Sequence, residues 1–117
     1  MLLEFSERTA APDIVVFSLK GRMNSGNRLG DAEFAAKKII GAGSKKLLID
    51  VTGVDYLDSA ALGMLIFITG EIGRGGGTAY VAGANQRVSE IFKICHAETV
   101  LHLHPSVDSA LQAFGAA

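Results

Sequence analysis

Two carboxylates and one hydroxyl stand close together near the middle of the 117-residue chain, at Asp55, Asp58 and Ser59. Paired carboxylates can act as a general acid and base or share a magnesium ion, and a serine hydroxyl can act as a nucleophile or accept a phosphoryl group. A catalytic serine normally works with a histidine base, and no histidine stands at a spacing that predicts one. Catalysis by these residues is therefore a minor hypothesis.

The flanking residues predict the elements that position this group. Residues 47–51 are mostly branched and apolar, which is typical of a strand buried on both faces. Residues 60–68 are apolar without a period of two, so they predict a helix with Asp58 or Ser59 at the N-cap, preceded by an acidic loop. The N–H groups of a first helical turn lack partners, so a serine there is a plausible phosphate site, although a simple cap is the plainer alternative.

The remaining pattern predicts a single α/β domain covering residues 1–117, with a mixed sheet and about four helices. Turn residues at 8–13 predict an antiparallel hairpin between the first two strands, and Gly21 is expected to end the second strand. Glycines at 73–77 follow a helix and precede a strand, so they predict a tight turn rather than a phosphate loop. The predicted strands are 2–8 (at an edge), 14–19, 47–51, 78–82 and 100–103, and the predicted helices are 27–40, 60–72, 86–94 and one that begins at 106.

Composition excludes several classes of function. The net charge is −1 without a concentrated basic face, which argues against direct nucleic-acid binding. The longest apolar run is about half a membrane span, and the first residues do not resemble a signal peptide, so we expect a cytoplasmic protein without membrane insertion. The single cysteine, Cys95, excludes an internal disulfide and is expected to be buried on a helix face. No ligand spacing predicts a metal or another cofactor.

Residues 58–63 read Asp-Ser-Ala-Ala-Leu-Gly and resemble the Asp-Ser-Ser/Thr-Gly-Leu-Gly signature of STAS domains, in particular of the single-domain bacterial anti-sigma factor antagonists. Residues 19–24 resemble the Leu-x-Gly-Glu-Leu-Asp turn of that family. Residues 75–83 resemble its glycine turn and following strand, and residues 88–95 its third helix. The likeness spans nearly the whole chain and implies the STAS fold.

The resemblance implies a phosphorylation switch at Ser59, the residue that matches the family's phosphorylated serine. In that family the kinase is itself the anti-sigma factor. The resemblance therefore implies that the unphosphorylated antagonist binds the anti-sigma factor and so frees a sigma factor for transcription. Phosphorylation of the antagonist would then dissociate the complex. The phosphate would lie near Asp55, Asp58 and Asn24. The docking face would come from the turn after the second strand, from the Asp55–Ser59 loop and from the start of the central helix. Its predicted partner-binding residues are Met23, Asn24, Ser25, Asp58, Ser59, Ala60, Leu62 and Gly63.

Four residues depart from the family pattern. Arg22 stands in place of glutamate, and Asn24 in place of aspartate. Ala60 replaces the second hydroxyl residue and Ala61 replaces a glycine, so we expect the methyl group of Ala61 to hinder the close approach of a kinase. Phosphorylation of Ser59 should therefore be slower than in a variant carrying Ala60→Ser and Ala61→Gly.

The main interpretation is a binding module without catalytic activity, either a monomer or a weak dimer. One alternative is a STAS scaffold subunit of another signalling complex, in which Ser59 is not phosphorylated. A second alternative is a small nucleotide-binding or hydrolytic α/β enzyme that uses Asp55, Asp58 and Ser59. The absence of a phosphate loop and of a recognisable base argues against the enzyme.

Overall fold

Five strands form one sheet, in which the strands lie in the order of the chain. The first pair is antiparallel and every later pair is parallel, so the sheet is mixed, as predicted. The computed structural model describes residues 2–115. Its strands are β1 (Glu4–Ala11), β2 (Ile14–Met23), β3 (Lys46–Leu57), β4 (Thr78–Ala82) and β5 (His102–His104).

Four α-helices follow the N-terminal hairpin, which confirms the predicted number. Three of them begin with a short polar side chain that accepts a backbone N–H of the first turn, the arrangement that favours a helix start. No helix among residues 2–115 is long and apolar enough to cross a membrane. The helices are α1 (Leu29–Gly41), α2 (Ser59–Arg74), α3 (Gln86–Ile94) and α4 (Val107–Ala113), with a short 3-10 helix at Ala97–Thr99.

The alternation of β3 distributes its side chains between two apolar clusters. Leu47, Ile49 and Val51 belong to the larger cluster, which α1, α2 and α3 cover. Leu48 belongs to a smaller cluster that includes Ala110 of α4. All four β3 side chains are fully buried, so β3 is the central strand that the apolar run predicts.

The glycine-rich segment after α2 is the tight turn that the sequence predicts. Gly76 has a φ of +87°, which an L-residue rarely adopts. A Cβ atom at Gly77 would collide with the carbonyl oxygen of Lys45, because β4 begins in close contact with β3. The glycines are therefore explained by chain geometry.

Several boundaries differ from the predictions because pairing with the adjacent strand of the sheet extends each strand. Residues 8–11 are not a turn but the end of β1, and β2 continues past Gly21. β3 pairs with β2 as far as Met23↔Leu57, through irregularities in register near Lys20 and Gly53. Asp55 therefore lies in a strand, and the predicted acidic loop was wrong.

Two predictions near the C-terminus also need correction. The last strand is His102–His104, which is shifted from the predicted 100–103. Cys95 is exposed and not buried as predicted. Val88 and Phe92 lie on the buried face of α3, but the helix ends at Ile94, so Cys95 does not continue that face.

Candidate functional site

The carboxyl ends of β2 and β3 bring two distant segments together. β2 ends at Met23 and β3 at Leu57, and the two residues are register partners. The backbone N–H of Asp58 donates to the carbonyl of Met23 at 3.1 Å. The turn of residues 24–28 therefore lies against the start of α2, at the carboxyl ends of the strands. Open α/β folds commonly bind their ligands at this edge of the sheet.

Asp58 is the residue that joins the two segments. Its Oδ1 accepts the N–H of Ala61 at 2.9 Å and so caps α2. Its Oδ2 accepts the N–H of Ser25 at 3.0 Å, across 33 residues of sequence. The cap predicted at Asp58 or Ser59 is thus Asp58, and Ser59 is the first residue of the helix.

The hydrogen bonds of Asp58 favour its charged form. Partial burial raises the pKa of Asp58, but the backbone N–H groups of Ser25, Ala61 and Ala60 donate to the charged form and together hold the pKa below its ordinary value. At neutral pH the side chain is therefore a carboxylate. A group in this state is a poor general acid, which weakens the case for an Asp55–Asp58 acid–base pair.

Ser59 lies exposed at the first position of α2, with Ala60 exposed beside it. Its side chain does not cap the helix, because Asp58 does. The hydroxyl can therefore be modified without loss of a cap. The N-terminal N–H groups that could hold a phosphate are already used in part by the Asp58 side chain.

The turn of residues 24–28 is held in shape at both ends. Asn27 donates from Nδ2 to the carbonyl of Arg22 at 2.8 Å, and its backbone N–H donates to the carbonyl of Asn24 at 3.1 Å. Gly26 and Arg28 take left-handed conformations, with φ values of 82° and 64°. Asn24 is partly exposed, although its Oδ1 atom is buried and has no hydrogen-bond partner among the described residues. The turn presents Ser25 to solvent.

Three residues that were predicted to contact or hinder a partner are buried. Met23 has no exposed surface and Leu62 is 7% exposed, so neither is available for direct contact. Both side chains belong to the large core cluster, to which strand and helix periodicity directs them. Ala61 is fully buried as well, so its methyl group cannot hinder a kinase as predicted.

The other predicted site residues lie at the surface. Asp55 is exposed on β3, and Asp58 is partly exposed. Gly63 is exposed on α2, and a Cβ atom there would meet nothing within 4 Å. Farther along the same helix, Ile66 and Phe67 are 38% and 40% exposed, so α2 is only partly covered.

Sequence reasoning missed the cluster that three side chains form next to this site. The guanidinium group of Arg22 lies 4.7 Å from the ring centre of Tyr56, and that of Arg87 lies 5.5 Å from the same ring. Arg22 and Tyr56 are register partners on β2 and β3, whereas Arg87 is in the first turn of α3. Only the pairing of the strands reveals the cluster, and Arg22 attracted notice solely because it departs from the family pattern.

A second capped helix start adjoins the site. Asn85 accepts the N–H of Val88 at 2.8 Å through Oδ1, as its predicted capping role requires. Its Nδ2 donates to the carbonyl of Val54 at 3.1 Å, which ties α3 to β3. In the described part of the chain, no group of three or more His, Cys, Asp or Glu side chains could hold a metal ion.

Comparison with known proteins relates this arrangement to other chains. A curated protein of Thermotoga neapolitana that bears the name of an anti-sigma factor antagonist homolog is 21% identical over 100 residues, or 86% of this chain and 88% of that protein. The crystal structure of an anti-sigma factor antagonist from Mycobacterium paratuberculosis superposes with a TM-score of 0.85 at 20% identity, over 95% of this chain and 92% of that one. The Bacillus cell-fate determinant SpoIIAA in its phosphorylated form gives a TM-score of 0.72 at 12% identity, over 95% and 99%.

The family model of the STAS domain matches residues 6–110, which run from β1 into α4. The match therefore includes both segments of the site and every strand of the sheet. It agrees with the resemblance that the signature around Ser59 indicates. The chain belongs to the STAS domain family.

Proposed function

We propose that this STAS domain is an anti-sigma factor antagonist, a binding module whose affinity for an anti-sigma factor is controlled by phosphorylation of Ser59. The observation that carries the proposal is the exposed hydroxyl of Ser59 at the first position of α2, in a helix start that Asp58 caps independently. The named relatives, which are described as anti-sigma factor antagonists, support the same class of function.

The switch is electrostatic. Phosphorylation adds about −1.5 to −2 charges next to the ionised Asp58, with Asp55 nearby on β3. The side chain of Asp58 already accepts N–H groups at the start of α2, so fewer donors are left to neutralise a phosphate within the protein. A partner that fits the neutral hydroxyl then meets concentrated negative charge, and desolvation at the interface adds to the cost.

The docking face consists of the predicted residues that are exposed or partly exposed, including Asp58 at the start of α2. Asn24 and Ser25 come from the turn after β2, and Ser59, Ala60 and Gly63 come from α2. The hydrogen bond from Ser25 to Asp58 fixes the two segments relative to each other, which lowers the conformational entropy that binding must remove. Met23 and Leu62 act from below, as core residues that support this surface.

The partner in this proposal is an anti-sigma factor that is also the serine kinase. The module itself acts in the cytoplasm as a monomer or weak dimer and catalyses no reaction. A structural neighbour, SpoIIAA, has been solved in phosphorylated and unphosphorylated forms, so a STAS fold accommodates such a modification in that protein.

The proposal can be tested by capture and labelling. Immobilised Ser59→Ala, which cannot be released by phosphorylation, should retain the kinase from the native cell extract. The purified kinase and labelled ATP should then label the wild type and the control Ser6→Ala, an exposed serine on β1, but not Ser59→Ala. Without kinase, no variant should be labelled and no ATP consumed.

Each contrary outcome has a distinct meaning. Equal labelling of Ser59→Ala and the wild type would overturn Ser59 as the acceptor. A partner that binds but does not phosphorylate would leave the scaffold hypothesis instead. ATP turnover by the protein alone would favour the small α/β enzyme.

A further inference from the structure

Two positive charges share one aromatic ring beside the docking face. The guanidinium groups of Arg22 and Arg87 lie 4.7 Å and 5.5 Å from the ring centre of Tyr56. Both arginines are exposed, and Tyr56 is partly buried. The two charges therefore lie within about one Debye length of each other at roughly 0.1 M salt and repel each other.

The fold of the chain does not explain these charges. Four ion pairs occur among the described residues, and neither arginine belongs to any of them. Arg87 is in the first turn of α3, where the helix dipole disfavours a cation. Asp55 directly precedes Tyr56, but it forms no ion pair with either arginine. Both guanidinium groups thus keep their donors for a partner.

The ring holds the donors in place. A guanidinium over an aromatic face is attracted by the ring electrons, which restricts an otherwise flexible side chain. Arg22 is also fixed at its backbone, because its carbonyl accepts from Asn27. A pre-organised planar fork of N–H groups matches a carboxylate bidentately, and two such forks match a segment with several carboxylates.

We propose that Arg22, Tyr56 and Arg87 form a docking site for an acidic segment of the protein partner. The site adjoins Ser59, which follows Tyr56 by three residues, so one partner can contact both. This inference rests on the proposed function and adds the charge of the partner's contact segment. Opposite charges at this position also steer the encounter and select the partner.

The site can be tested with a defined probe before the partner is known. Hexaglutamate, titrated into ¹⁵N-labelled protein at low salt, should shift the Nε–H signals of Arg22 and Arg87 and the amide signal of Tyr56 together. Hexalysine should not shift them. Inorganic phosphate that saturates the same signals as tightly as hexaglutamate would overturn the assignment to an acidic peptide.

A charge-matched pair of variants excludes general electrostatics. Arg22→Glu with Arg87→Glu should weaken hexaglutamate binding by at least about tenfold. Both changes are expected to be tolerated in folding, since both arginines are exposed and an acid suits the first turn of α3. The control, Arg8→Glu with Lys93→Glu, makes the same change of net charge at exposed residues of β1 and α3. Equal weakening by both pairs would overturn the site.

The captured kinase then separates this inference from the proposed function. Arg22→Glu with Arg87→Glu should bind the kinase at least about tenfold more weakly than the control pair. Undiminished kinase binding, with Ser59 still labelled, would overturn the acidic docking site alone. If the kinase did not label Ser59 of the wild type, although the wild type still bound hexaglutamate, the switch alone would be overturned.

Discussion

The starts of α2 and α3 lie at the same edge of the sheet, and in each a capping side chain performs two tasks. Asp58 accepts from Ala61 to cap α2 and from Ser25 to hold the turn after β2. Asn85 accepts from Val88 to cap α3 and donates to the carbonyl of Val54 on β3. Each helix is therefore fixed both to its own first turn and to a distant segment.

The difference between the two starts is charge. The cap of α2 is a carboxylate, and small neutral residues, Ser59 and Ala60, are exposed behind it. The cap of α3 is a neutral amide, followed by the exposed Arg87. Similar capping geometry thus places an acidic helix start beside a basic one.

Removal of either capping side chain, Asp58 or Asn85, should lower the free energy of unfolding more than its exchange for the other type of cap. Asp58→Ala removes the cap and the charge-assisted bond to Ser25, so we expect a loss of about 1–3 kcal/mol. Asn85→Ala should lose about 1–2 kcal/mol, because its bonds are neutral. Urea denaturation measures both, and amide exchange at Ser25 should accelerate only in Asp58→Ala. A loss below about 0.5 kcal/mol for Asp58→Ala would contradict its joining role.

Exchanging the two cap types should cost somewhat less. Asp58→Asn can still cap α2, but its amide cannot accept from both Ala61 and Ser25. Asn85→Asp keeps an acceptor for the cap but places a carboxylate oxygen against the carbonyl of Val54. We expect about 0.5–1.5 kcal/mol for each exchange in denaturant titration.

An exposed carboxylate provides the control for the exchange. Asp55→Asn makes the same chemical change outside either cap, so stability should change by less than about 0.5 kcal/mol. If Asp58→Asn were as mild as Asp55→Asn, the bond to Ser25 would contribute little.

Only the cap of α2 should respond to acid. Because the pKa of folded Asp58 is lowered, its carboxylate contributes stability that is complete above the unfolded pKa of about 3.9 and is lost as pH falls through the folded value. The difference in unfolding free energy between the wild type and Asp58→Asn should therefore be constant above about pH 5 and shrink below about pH 4.

The Asn85→Ala variant supplies the matching control for pH. Its loss relative to the wild type should not depend on pH, since an amide does not titrate. The pKa of Asp13 is also lowered, by its hydrogen bond to Lys46, but Asp13 is present in every variant and cancels. A pH-independent loss for Asp58→Asn would show that the charge of the cap is unimportant to folding.

The smallest effect is expected at Ser59. Because Ser59 is the first helical residue and not the cap, Ser59→Ala should change stability by less than about 0.5 kcal/mol. This value replaces the larger loss that a capping serine would imply. A loss of about 1 kcal/mol or more in thermal or urea unfolding would assign Ser59 a structural role.

Local patterns are sufficient for the elements of this fold. The β-branched run at residues 14–19 and the apolar run at 47–51 predict two strands, because each run is short, branched and bounded by turn residues. Asn85 predicts the start of α3, because a short polar side chain before an amphipathic stripe is a strong signal for a helix start.

The site depends on contacts that no local pattern contains. Asp55 lies in β3 rather than in a loop because β2 extends to Met23 and pairs with it. The bond between Asp58 and Ser25 spans 33 residues, and the cluster on Tyr56 draws on three elements. Predicting these features requires the register of distant strands, which the residue pattern alone does not determine.

The most direct test of the account measures how phosphorylation of Ser59 changes the affinity for the captured kinase. Calorimetry should show that the enzymatically phosphorylated protein binds at least about tenfold more weakly than the unmodified protein, a difference of about 1.4 kcal/mol that shrinks as salt rises. Ser59→Asp should weaken binding in the same direction, and Ser6→Asp, which adds its charge on β1, should not. Undiminished affinity of the phosphorylated protein would contradict the switch.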